Sequence, residues 1–163
     1  MPVTPVIELM NNLVQVHEEL LNISKEKSDR IKEGDMDKMQ AILVKERKQI
    51  RLLEQTEKKR QELVDAWFLS HFPSSEEATI TKMLEAMEQE QDKEILAGVT
   101  AKLTERITEL KQQEELNRVL LSQSMQFVQL SLDLMRPSIS NINYGSKNKE
   151  NEEPNRSLFD SQA

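Results

Sequence analysis

The chain contains no cysteine, which excludes disulfides, thiolate zinc sites and cysteine nucleophiles. This fits a reducing cytoplasm, and cytoplasmic is the expected location. Aromatics are only 4% of the residues and glycines number 3. Gly34, Gly98 and Gly145 stand apart from one another, so no glycine-rich phosphate loop exists. Strand signals are close to absent. No basic segment precedes an apolar run near the N-terminus, so no secretory signal is visible. No stretch approaches the roughly 20 apolar residues that a membrane span needs, and no stable membrane insertion is expected. A net charge of −7 argues against nucleic acid, whose binding depends on Lys and Arg neutralising phosphates. His17 and His71 are the only histidines. Neither has a ligand spacing such as HExxH, and both read as surface or bundle-end residues. Carboxylates are abundant but show no paired arrangement in a recognisable pocket. No enzyme activity, cofactor or metal is expected.

What is present is helix material. Leu, Lys, Glu and Gln dominate, with 31% charged and 37% hydrophobic residues, a composition of long helices and coiled coils. Val6, Leu9, Leu13, Val16, Leu20 and Ile23 recur at spacings of three and four, the seam of a coiled coil. Gly34-Asp35 reads as a helix stop and a restart cap, and so short a link makes the two helices antiparallel. Met36, Met39, Leu43, Ile50, Leu53, Val64 and Trp67 read as the second seam, with Glu46, Glu57 and Arg60 as polar intrusions. Trp67, Phe68 and Phe72 form the one aromatic cluster, suited to closing the bundle end. The fold class is therefore all-α, an elongated antiparallel bundle or coiled coil of three long helical segments plus one short helix. Helices are expected over 5–33, 35–71, 76–91 and 96–136, the short one capped by Ser75 and favoured by Glu76 and Glu77. Gly98 marks a plausible kink, and Pro137 should end the last helix. Residues 1–136 form the bundle, and 137–163 a disordered tail rich in Ser, Asn, Lys and Glu.

Residues 116–135, LNRVLLSQSMQFVQLSLDLM, hold 11 apolar residues and two charges, Arg118 and Asp133. Leu116, Val119, Leu120, Leu121, Met125, Phe127, Val128, Leu130, Leu132, Leu134 and Met135 make an arc wider than a two-helix seam requires. Surplus apolar surface in a polar chain suggests a partner. The alternatives are burial by other helices of the chain or by a second copy. A second cluster, Lys45, Arg47, Lys48, Arg51, Lys58, Lys59 and Arg60, has Glu46, Glu54, Glu57 and Glu62 interleaved. It reads as a solvated helix face laced with i,i+4 pairs.

Three features in order resemble the FlgN family of flagellar export chaperones. The first is the hairpin centre EGDMDKMQAILVKERKQIRLLEQTEKKRQELV at residues 33–64. The second is LNRVLLSQSMQFVQLSLDLM, similar to the family's Asn-x-x-Leu-Leu helix, here Asn117, Leu120 and Leu121. The third is a proline, a short polar run and Tyr-Gly, here Pro137 and Tyr144-Gly145. The chain departs from the pattern after Gly145. The resemblance implies a cytoplasmic chaperone that binds hook-associated (hook–filament junction) proteins, prevents their premature assembly and delivers them to the export gate, with no nucleotide or metal. On that reading the arc of residues 116–135 holds a client's terminal helix by helix-in-groove recognition, and Tyr144 contacts a component of the export apparatus. The rival reading is a structural or adaptor coiled coil that self-associates as a homodimer through the same arc.

Overall fold

A computed structural model describes residues 2–74 and 77–142, with side chains up to residue 136. Among these, four helices and no strands occur: α1 (Thr4–Glu33), α2 (Met36–His71), α3 (Ile80–Ala86) and α4 (Glu90–Ile142). The chain forms two compact units, residues 1–124 and residues 125–163.

In the first unit, α1 and α2 form the hairpin. Pro5 occupies the first turn of α1, where its missing N–H would be unpaired anyway. Gly34 closes α1 in the left-handed conformation (φ 69°), its N–H bonded to the Arg30 carbonyl, a backbone shape that costs glycine least. Asp35 then caps α2, its carboxylate accepting from the Lys38 backbone N–H at 3.0 Å. That bond holds the Asp35 carboxyl below its usual range.

The third long helix runs alongside α1. Side chains of α1 and α4 that bond each other lie 87 to 93 residues apart along the whole contact. A near-constant offset means that α1 and α4 are parallel, as first and third members of an up–down–up arrangement must be.

The apolar core occupies the end of the hairpin remote from Gly34. Val6, Met10, Leu13 and Val14 of α1, Val64, Trp67 and Phe68 of α2, Met83 and Met87 around α3, and Leu96, Val99 and Leu103 of α4 pack together. Trp67 stands edge-on to Phe68 at 5.1 Å and stacks on the His71 ring at 4.4 Å. The aromatic cluster is thus mostly core, with Phe72 left exposed.

Several expectations need correction. The short helix spans Ile80–Ala86, capped by Thr79, whose hydroxyl accepts from the Lys82 N–H. Ser75 and Glu76 lie outside the described residues. Glu77 precedes the helix and pairs with Lys82 at 2.8 Å. The last helix begins at Glu90, runs through Gly98 and continues past Pro137. Gly98 carries no positive φ, so it costs helix stability without breaking the helix. Pro137 forfeits the bond to the Asp133 carbonyl, and an exposed carbonyl can turn to water instead. His17 is buried, and its Nδ1–H donates to the Leu13 carbonyl at 2.7 Å. It is a satisfied interior histidine.

The α2 seam also differs from the expected set. Met39, Ile42, Glu46, Gln49, Leu53, Thr56, Arg60, Leu63 and Trp67 are the buried or half-buried line, at alternate spacings of three and four. Met36, Ile50 and Glu57 are exposed. Selecting apolar residues misplaced the line because four of its nine positions are polar. Of these four, Glu46 reaches another helix, pairing with Lys27 of α1.

Candidate functional site

Two features of the long helices stand out, one inside the bundle and one outside it. Inside, a polar cluster ties α1, α2 and α4 together towards the Gly34 end. The Lys27 ammonium lies 2.5 Å from Glu46 of α2 and 3.1 Å from Glu114 of α4. The Ser24 hydroxyl donates to Glu114 at 2.8 Å. The Asn117 amide donates to the Ser24 carbonyl at 2.7 Å and to its hydroxyl at 3.0 Å. Gln113 donates to the Asn117 side-chain oxygen at 3.1 Å. Burial pulls the Lys27 pKa down, but hydrogen bonds and Coulomb attraction to Glu46 and Glu114 outweigh it and raise the value. Among the described residues, no buried side-chain polar atom lacks a partner, so the cluster carries no orphan-group penalty.

The cluster relocates one residue of the recognised motif. Asn117 is buried against Ser24 and belongs to the bundle's interior. Ser24 and Lys27 were not singled out by sequence reasoning. The available signal was the interior repeat Met10, His17 and Ser24, each seven residues after the last.

The outside feature is the run of apolar residues on α4. In the first unit Leu116, Val119 and Leu121 are exposed and Leu120 is half-buried. In the second unit Met125, Phe127, Val128, Leu130, Leu132, Leu134 and Met135 are all exposed. Phe127 reaches 70% and Leu134 69%. At about 100° per residue, Phe127, Leu130 and Leu134 follow one line, and Met125, Val128, Leu132 and Met135 another. Ser131 lies between them, half-buried, its hydroxyl donating to the Phe127 carbonyl at 2.9 Å. The two charges among these residues are locally balanced. Arg118 pairs with Glu115 at 2.6 Å, which holds the Glu115 carboxyl below its usual range. Asp133 accepts from the Gln129 amide at 3.1 Å and stands 3.9 Å from Arg136. The surface offers apolar contact without net charge. Tyr144 lies outside the described residues.

Among the described residues no group of three or more potential ligands could hold a metal ion, and no helix is long and apolar enough to cross a membrane. The sequence profile of the FlgN protein family matches residues 1–152. The chain belongs to the FlgN family. The family match supports a general role as a flagellar export chaperone. An uncharacterized protein of Bacillus subtilis (strain 168), YvyG, is 36% identical over 161 residues, 97% of each chain. No solved structure matches the chain.

Proposed function

We propose that this chaperone acts in the cytoplasm and holds hook-associated (hook–filament junction) proteins by their terminal helices. The holding surface is the apolar face of α4 from Leu116 to Met135, and the chaperone prevents premature assembly and delivers the client to the export gate. The observation that carries the reading is exposure: of the 11 apolar side chains at 116–135, only Leu120 is even half-buried. A run of exposed large apolar residues marks an interaction surface. A client segment that orders as an amphipathic helix would lay its own apolar stripe along these side chains. Met125 and Met135 are unbranched and adaptable, which suits more than one client. The client loses conformational entropy on ordering, which moderates affinity and permits release.

The bundle needs none of these side chains for its core, so the site can be removed without unfolding the protein. Replacing Leu121 and Val128 with Asp is expected to abolish client binding with helix content retained. Calorimetric titration with C-terminal segments of hook–filament junction proteins, alongside light scattering, tests this. Undiminished binding by the folded double variant would move the site elsewhere. A tight dimer that no client segment dissociates would favour the self-associating reading. In this proposal Tyr144 contacts the export apparatus, and truncation after Ser138 spares client binding while impairing delivery.

A further inference from the structure

The basic cluster of α2 does not behave as its sequence suggested. Lys45, Arg47, Lys48, Arg51, Lys58 and Lys59 are all exposed. Among the described residues, none of the six takes part in an ion pair. Two of the carboxylates interleaved with them are used elsewhere. Glu46 is turned inward to Lys27. Glu57 is taken by Arg60. Glu54 borders the groove lined by His17 and Leu103.

Helical geometry gathers the cations. At about 100° per residue, Arg47, Arg51 and Lys58 fall to one side of a line through Val44 and Gln55. Lys45, Lys48 and Lys59 fall to the other. From Val44 to Lys59 the strip is about 22 Å long at 1.5 Å per residue. Exposed carboxylates flank the strip at its ends, Asp37 and Glu62, and at one edge, where Glu54 stands about 20° from Arg47 around the helix. Val44 is 65% exposed and Leu52 45%, so apolar surface lies among the charges. Six of the chain's 22 cationic residues are concentrated here although the net charge is −7. Lys45 with Lys48, Lys48 with Arg51 and Arg47 with Arg51 are like-charge neighbours at i,i+3 or i,i+4, an arrangement that destabilises a free helix and that a partner's carboxylates would relieve.

We propose that the outer face of α2 between Val44 and Lys59 is a second docking surface, and that it takes an acidic polypeptide segment with apolar residues among its Asp and Glu. Charge complementarity selects an acidic partner. The short length of the strip selects a polypeptide. A nucleic-acid duplex or an anionic bilayer would extend past the strip onto Asp37, Glu62 and the acidic remainder of the chain, within a Debye length of about 8 Å at physiological salt. A peptide can end where the cations end, and its apolar side chains meet Val44 and Leu52. This surface shares no residue with the α4 face.

The test is fluorescence anisotropy of a labelled Glu-rich peptide containing two Leu, titrated with the full chain. Saturable binding is expected at low salt, weakening about tenfold towards physiological ionic strength as the charges are screened. K48E/R51E should abolish binding without lowering the thermal unfolding midpoint, since it also relieves like-charge pairs. V44S/L52S should weaken binding while keeping its salt dependence. L121D/V128D should bind the peptide normally, which separates this proposal from the client site. Absence of binding at low salt, or equal binding by K48E/R51E, would overturn it. So would tighter binding to duplex DNA or to vesicles of equimolar phosphatidylserine and phosphatidylcholine.

Discussion

Two stretches of α4 invert the usual relation between apolar content and burial. From Glu90 to Leu110 the helix is mostly polar, yet Leu96, Val99 and Leu103 are buried in the core. From Leu116 to Met135 it is mostly apolar, yet the single buried residue is Asn117. Hydrophobicity sets how strongly a residue favours leaving water. Whether it leaves depends on what the fold places opposite. Early in α4 the N-terminal half of α1, the end of α2 and α3 converge on one face. In the interior beyond, the facing residues are Ser24 and Lys27, and the side chain suited to them is an amide. The apolar side chains of this stretch, half-buried Leu120 excepted, stay exposed.

The comparison breaks most sharply by truncation. Leu96→Ala removes a side chain with 0% exposure and is expected to cost about 2–5 kcal/mol. Phe127→Ala removes a larger side chain and should change stability by less than about 0.5 kcal/mol. Urea unfolding of the two variants checks both. A large loss from Phe127→Ala would mean that the second stretch is buried after all. Asn117→Ala comes next. It removes two hydrogen bonds to Ser24, whose hydroxyl keeps Glu114, at about 0.5–1.5 kcal/mol per bond. Asn117→Asp should also destabilise, by facing a carboxylate to the Ser24 carbonyl and Glu114.

Lys27 sharpens the same contrast through pH. Its folded pKa is raised above the unfolded value. Its contribution is therefore fully present below the unfolded lysine pKa, about 10.4, and is lost as pH rises through the folded value. The stability difference between the natural chain and Lys27→Met should be constant near neutrality and narrow above that point. A difference that stays flat into strong alkali would show that Lys27 is held by packing alone. The smallest expected effect is a gain. Gly98 lies within α4, and a Cβ added there meets nothing within 4 Å. Gly98→Ala should stabilise by up to about 1 kcal/mol, read as a rise in the unfolding midpoint. Gly34→Ala should do the opposite, because φ there is 69° and a side chain is strained in that conformation.

Much of the fold was legible because local signals agreed with one another. Gly34-Asp35 carries a left-handed stop and a side-chain cap in consecutive residues, and α1 and α2 meet there. The α1 seam was readable because Val6, Leu13, Val16, Leu20 and Ile23 are both apolar and buried, while His17, Ser24 and Ser28 are buried without having been legible. Legibility failed where polar residues occupy inner positions. Glu46, Gln49, Thr56 and Arg60 face inward on α2, so choosing apolar residues pointed to Ile50 and Met36. The ends of α3 and α4 were also misjudged, since Pro and Gly state a cost to a helix and neighbouring turns can meet it. For the candidate face, the sequence carried the surplus of apolar residues but not their exposure. The unpaired state of the α2 cations was likewise illegible. Lys and Glu alternate there in the chain, and only the inward turn of Glu46 and the pairing of Glu57 with Arg60 separate the signs.

By itself the sequence determined helices, the hairpin and the approximate lengths of its two members, the lack of cysteine or glycine-loop chemistry and the presence of more apolar surface than a thin bundle consumes. These follow from periodicity and from single-residue preferences, which act within a turn or two of the chain. The tertiary structure alone decided which residues that surface comprises, which carboxylates neutralise which cations, and that Asn117 belongs inside while Phe127 belongs outside. Those outcomes depend on pairs such as Ser24 with Asn117 and Lys27 with Glu114, separated by 93 and 87 residues. No local preference encodes them, because each side chain's energy is set by the one that arrives opposite.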